Sequence, residues 1–297
     1  MLYQNGRLLK RFWLVVKADW NSVIKQKPVC YLLCALPLIL LVEHWAMFWP
    51  VMLMVLFIGL PHGLLDPWIA LKSVSLKKMS TWLFLFGYLV LSIVVYLGWV
   101  ISPLLSFVLF LLVSAYHFGA DWGEQPTRSR FQCIGLGGII IALPVIFHPT
   151  ETMRLFLLLT GYDFSDVMWL FVVWCVVGTT FLLRRQNKAN LVEGLLLVLI
   201  SAVASPFIYF ACYFCLLHSY RHYAEYLPSI VTRQDFSIRF LSLLLIMTYL
   251  LLIGLFLSLE SIGPVEDKSL QTLFWGLASL TVPHMFVIAL SKSKKSW

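Results

Sequence analysis

The chain has 297 residues, 61% of them hydrophobic and only 12% charged, with a mean hydropathy of +0.88. Soluble domains run about 45–50% apolar and about 25% charged; too few polar residues are present here to cover a water-facing globule, which excludes a soluble enzyme, a nucleic-acid-binding domain and a disordered chain. The formal charge of +8 points to a membrane surface rather than an acidic partner, because of where the basic residues fall.

Residues 1–28 form a basic amphipathic segment. Leu8, Leu9, Phe12, Trp13, Val16 and Trp20 recur at helical spacing opposite Arg7, Lys10, Arg11 and Lys17, which predicts a helix lying on the cytoplasmic leaflet. Its charges are interleaved with apolar residues and no small-residue cleavage site follows, so it is not read as a secretory signal. Residues 29–290 form one membrane-embedded domain, and residues 291–297 a basic cytoplasmic tail.

A helix needs about 20 mostly apolar residues to cross the hydrocarbon core. Such runs fall near 29–43, 45–64, 80–101, 104–120, 132–148, 166–183, 190–204, 206–222, 240–258 and 270–290. Turn chemistry separates neighbours at Ser102-Pro103 and Ser205-Pro206. The fold class is therefore all-α, a polytopic transmembrane bundle of about ten spans, or eight to ten because the first and seventh runs are short. All but Arg154 and Lys268 of the 22 Lys and Arg residues then fall on one side, which places both termini in the cytoplasm of a multi-pass protein of the cell (inner) membrane. The six cysteines sit in apolar stretches. Even Cys212-x-x-Cys215 reads as small, polarizable packing residues rather than a disulfide or redox pair.

Ionisable and metal-binding side chains inside a bilayer are costly, about 2.5–3.5 kcal/mol for a charged group at a helix centre on insertion scales, so each flags a site. Of the seven histidines, His44 and His148 fall at outer span ends and read as interfacial. His62, His117, His218, His222 and His284 instead lie near the cytoplasmic ends of four different spans, at matching depth. One such histidine is ordinarily a satisfied core residue; five at one depth imply a shared site. His218 and His222, spaced i, i+4, share a helix face as in helical metal sites. Imidazole suits Zn, Cu, Fe and Ni alike. Four imidazoles on iron would leave positions open for O2.

Acidic residues follow these histidines at short spacing: Asp66 after His62, Asp121 after His117 and Glu225 after His222. A ligating histidine gives its other N–H to a carboxylate or carbonyl, so these acids are candidates to orient the rings, Asp66 foremost. Arg221 faces headgroups or pairs with an acid. Gly63 and Gly119 permit close backbone approach, while Pro61 and Pro283 kink helices and widen a cavity, although both residue types are simply frequent in membrane helices. The 22 Phe, 12 Trp and 12 Tyr suit a tunnel for a long polyene as well as they suit lipid packing.

Four ordered motifs now stand out: Gly59-Leu60-Pro61-His62-Gly63 with Asp66; Ser114-Ala115-Tyr116-His117-Phe118-Gly119; His218-Ser219-x-Arg221-His222; and Thr281-Val282-Pro283-His284-Met285. Together, over about residues 55–290, they resemble the bacterial and archaeal Brp/Blh family of membrane β-carotene 15,15′-dioxygenases. The resemblance implies a non-haem Fe(II) enzyme that cleaves β-carotene centrally with O2 to two all-trans-retinals, often supplying a microbial rhodopsin. Carried over by motif, the catalytic iron ligands are His62, His117, His218 and His222. Asp66, Asp121, His284, Tyr116 and Phe118 line or orient the site. Pro67 after Asp66 and Tyr220 before Arg221 depart from the family's common residues without removing a ligand.

Three other readings remain at this point. A histidine-box desaturase or hydroxylase normally carries about eight histidines with HxxHH clusters, against seven and none here. A bis-histidine haem protein would clamp haem between His117 and His218 or His222. A metal or proton transporter would spread its polar groups along a pathway rather than gather them at one depth.

Overall fold

The computed structural model describes Ala35 and residues 47–72, 80–122, 129–184, 188–233, 236–260 and 263–292. The predicted surface helix at 1–28, all of the 29–43 span but Ala35, His44, Cys30, Cys34 and residues 293–297 of the tail lie outside the described residues. Every regular element among the described residues is helical.

The first long element changes pitch as it proceeds. α1 (Phe48–Met54) passes into a π-helical stretch (Val55–Gly59), then a 3-10 stretch (Leu60–Leu65), then α2 (Asp66–Lys72). α3 (Thr81–Ile101) starts where the Ser80 side chain accepts from the Leu83 amide, and Pro103 opens α4 (Pro103–Ala120) at a position where a missing N–H costs nothing. A Ser129/Gln132 capping box starts α5 (Arg130–Phe147). α6 (Pro149–Thr160) ends at Gly161, whose φ of 75° only glycine adopts cheaply. α7 (Trp169–Arg184), α8 (Lys188–Val203) and α9 (Pro206–Ala211) follow. A second π-helical stretch (Cys212–Ser219) leads from α9 into α10 (Tyr220–Val231). α11 (Ile238–Ser258) and α12 (Val265–Lys292) complete the order.

Seven of these helical segments are long and apolar enough to cross a membrane: Phe48–Ala70, Thr81–Ile101, Pro103–Ala120, Arg130–Phe147, Ser165–Arg184, Ile238–Ser258 and Val265–Ser291. They coincide with seven of the predicted spans. The short run at 190–204 is a shorter apolar helix, Asn190–Val203. The run at 206–222 is helical throughout, but divided between α9, the π stretch and α10. α6 was not foreseen; Thr150, Glu151 and Arg154 dilute its hydropathy, while Pro149 at its start and Gly161 at its end are ordinary helix signals.

Two close approaches fix the centre of the bundle. A Cβ on Gly137 of α5 would fall 1.8 Å from the Ala115 carbonyl oxygen of α4, and one on Gly119 of α4 would fall 1.8 Å from the Cys133 carbonyl oxygen of α5. The α4 and α5 backbones thus touch at Ala115 and Gly119, one turn apart. His117 lies two residues from each, about 200° around the helix, so its ring faces away from α5 and into the bundle. α12 packs on α2, α3 and α11. α3 and α11 present wide apolar exteriors, and α11 has no buried residue; such surface suits acyl chains rather than water.

Candidate metal centre

The two π-helical stretches meet. A Cβ on Gly59 would fall 2.6 Å from the Phe214 ring, so only glycine admits that contact. At the same junction Ser219 Oγ donates to the Gly59 carbonyl at 3.2 Å and lies 3.2 Å from His62 Nδ1. π turns inside longer helices recur at functional sites because they re-aim side chains. Here one places His218 and the other leads into the tight turn holding His62.

Five imidazoles converge. His62 has its ring centroid 5.1 Å from His218, 5.1 Å from His222 and 5.0 Å from His284. His117 lies 4.7 Å from His218 and 5.3 Å from His284, and His222 lies 5.0 Å from His284. All five are buried. Two sets of donors, His62 with His218 and His284, and Asp66 with His222 and His284, each lie within 4.8 Å of one another and could hold a metal ion. His284, expected only to line the site, belongs to both sets.

The outward ring nitrogens are anchored. His284 Nδ1 lies 2.8 and 3.0 Å from the two Asp66 oxygens, His218 Nδ1 lies 2.6 Å from Asp121 Oδ2, and His62 Nδ1 bonds the Gly59 carbonyl. Carboxylates and carbonyls only accept, so Nδ1 carries the proton in each ring and Nε2 keeps its lone pair, the tautomer a metal ligand needs. Burial alone would raise the Asp121 carboxyl, but the hydrogen bond from the His218 ring and the nearby Arg221 guanidinium hold it below the usual carboxylate range. Nε2 of His117 and of His284 and both ring nitrogens of His222 have no hydrogen-bond partner among the described residues.

The acids serve different histidines from those their spacing suggested. Sequence spacing pairs Asp66 with His62 and Asp121 with His117; the structure pairs them with His284 and His218, from distant parts of the chain. Both mismatches have one cause: the α-helical i, i+4 register is lost. Between His62 and Asp66 the backbone is 3-10, with about three residues per turn, and Asp121 sits where α4 has already ended. Glu225 is exposed and joins nothing at the centre. Tyr116 does not line the cavity, whereas Phe118 does and packs 5.1 Å from His218. His148 bonds the Ser201 carbonyl at 2.9 Å, away from the cluster.

Three contributors escaped the sequence reading. Tyr88 donates to Asp66 at 3.0 Å and lies 3.2 Å from the Leu280 carbonyl, bracing the acid that holds His284. Ser219 ties the π stretches together. Glu193 is buried and paired with Arg221, so the arginine takes an acid rather than a headgroup. Glu193 carried a visible signal, an ionisable residue in an apolar span; Tyr88 carried none.

A cavity of about 590 Å³ opens from the cluster. His62, His117, His218 and His284 form its floor, and Phe110, Phe210, Phe214 and Leu277 are among its walls. Such a volume and lining suit a lipophilic small molecule.

Comparison with known proteins gives a consistent picture. The sequence model of the family described as "Beta-carotene 15,15'-dioxygenase" matches residues 53–292. A protein of the same description from uncultured marine bacterium 66A03 is 32% identical over 254 residues, covering 81% of this chain and 92% of that protein. No solved structure matches.

Proposed function

Since the chain belongs to the β-carotene 15,15′-dioxygenase family, we propose that it is a membrane-embedded, iron-dependent oxygenase that cleaves β-carotene at the central double bond, with O2, into two retinals. The observation that carries the proposal is the buried cluster of five imidazoles, four of which form the floor of an apolar cavity. Leaving a buried polar atom unpaired costs about 1–3 kcal/mol. Four unpaired ring nitrogens in one cluster therefore fit a bound cation.

The ion is drawn from imidazoles of His62, His117, His218 and His222, the set the motifs imply, with His284 joining on geometric grounds. All-nitrogen ligation without thiolate suits ferrous iron. When bound, iron supplies the oxygen-activating chemistry of a non-haem dioxygenase. The protein's own residues do the remainder. Asp66, Asp121 and the Gly59 carbonyl hold three rings as Nδ1–H tautomers. Phe214 and Phe118 pack against His218 at 5.7 and 5.1 Å and keep water from its face. The cavity walls position a hydrocarbon that has no polar handle, so its central bond is placed by shape alone.

Expression in β-carotene-producing bacteria tests this directly. Loss of orange colour with retinal in the extract is the expected result. Longer apocarotenals would indicate off-centre scission, and unchanged carotenoid would overturn the proposal.

A further inference from the structure

α3 and α11 both pack on α12. Near their C-terminal ends Tyr96 Oη lies 3.4 Å from Ser258 Oγ. Towards their N-terminal ends, the histidine-bearing half, the cavity lies between them. There Trp82, Phe86 and Leu89 of α3 and Leu243, Met247 and Leu251 of α11 do two things at once. Each lines the cavity, and each is exposed, from 39% for Leu89 to 73% for Trp82.

Their spacing gives the opening its shape. Residues 82, 86 and 89 follow i, i+4, i+7, and residues 243, 247 and 251 follow i, i+4, i+8, so each set forms one stripe along its helix. Two facing stripes make a slot parallel to the helix axes rather than a round hole. Neither stripe offers a polar atom beyond the Trp82 indole. Exposed apolar residues flank the slot on both helices, among them Leu83, Val90, Ile246 and Leu250, so its surroundings match acyl chains.

We propose that the slot between α3 and α11 is a lateral portal, through which an elongated apolar polyene passes sideways between the bilayer interior and the histidine cluster. The occupant is set by the walls: a long molecule without polar groups, dissolved in lipid, reaching a floor of imidazoles. This rests on the functional reading above for the identity of the polyene.

The test narrows the slot from both sides with Leu89→Trp combined with Met247→Trp, in lipid nanodiscs. Val94→Trp and Leu250→Trp, on the same helices but outside the cavity lining, are the controls. The double variant should bind iron as the wild type does while kcat/KM for β-carotene falls about tenfold or more. β-Carotene retained by metal-depleted protein should fall likewise, with both controls close to wild type. Undiminished turnover and retention in the double variant, or an equal loss in the controls, overturns the portal. Should the double variant fail to fold, Met247→Cys carrying a bulky, reducible thiol adduct replaces it: retention should drop on modification and return on reduction, with equally treated wild type as background, and no drop overturns the portal. Wild-type protein that retains β-carotene but makes no retinal would sink the functional reading alone, because the retention measurement still tests the slot.

Discussion

The two ends of the bundle use similar ring geometry for opposite purposes, and α12 runs through both. At one end Trp275 packs 5.5 Å from Trp99, and Phe107 lies 4.7 Å from Phe156 and 5.4 Å from Phe164. Nine residues on, about 13–14 Å along the axis, His284 sits among rings 5.0–5.3 Å away. The spacing is alike, but the polar atoms are treated differently. Trp275 Nε1 donates to the Leu159 carbonyl and Trp174 Nε1 to the Ile134 carbonyl, so these indoles are satisfied within the protein. Three of the imidazoles bond through Nδ1, whereas Nε2 of His117 and of His284 and both ring nitrogens of His222 are left without a partner among the described residues. The first end leaves one buried ring nitrogen, Trp99 Nε1, without such a partner; the second leaves four, gathered in one cluster.

The hardest blow to this contrast is His218→Ala or His222→Ala. Each should abolish iron binding and retinal formation together, a loss of roughly a hundredfold or more, beyond what disturbing an outer partner produces. Metal content by mass spectrometry and retinal by chromatography read the two quantities; full turnover with bound iron in either variant would refute the ligand set. Trp275→Ala should do the converse. Removing a buried aromatic costs about 3–5 kcal/mol of stability, visible as a lower Tm, while the protein that remains folded binds iron with wild-type stoichiometry.

Much of this was legible in the sequence, for identifiable reasons. The hydropathy runs marked the long helices because a bilayer demands them. The histidines stood out because a titratable side chain is conspicuous in an apolar helix. Register was not legible. Pairing Asp66 with His62 assumed continuous α-helix, and neither the 3-10 turn at Leu60–Leu65 nor the π stretches at Val55–Gly59 and Cys212–Ser219 leaves a sequence signature. His284 looked peripheral for a related reason: its partner Asp66 is 218 positions away, and only the packing of α12 on α2 joins them. Tyr88 was invisible because one tyrosine among twelve in an aromatic-rich chain carries no mark.

Smaller perturbations sharpen the same comparison. Asp66→Asn keeps the size of the side chain but removes the charge that fixes the His284 tautomer. Iron affinity measured by chelator competition should weaken about 10–100-fold. Tyr88→Phe removes one of several bonds at that carboxylate, so its loss should be smaller than that of Asp66→Asn and in the same direction. The reverse ranking would mean that Tyr88 acts on the cavity rather than through Asp66.

The smallest effect belongs to Arg154→Ala, at the end of the bundle away from the histidines. Arg154 Nη2 reaches both Asp267 oxygens, at 3.2 and 3.1 Å, joining α6 to the start of α12, but its side chain is 66% exposed. An exposed ion pair is worth about 0–1 kcal/mol, because water screens the attraction and holding two long side chains together costs entropy. The variant should lose less than about 3 °C in Tm and keep its iron and turnover unchanged. A marked fall in iron occupancy would show that α12 transmits strain from Asp267 to His284, seventeen residues along the same helix. The two ends would then be one mechanical unit, and the separation between packing and metal site would fail at the element they share.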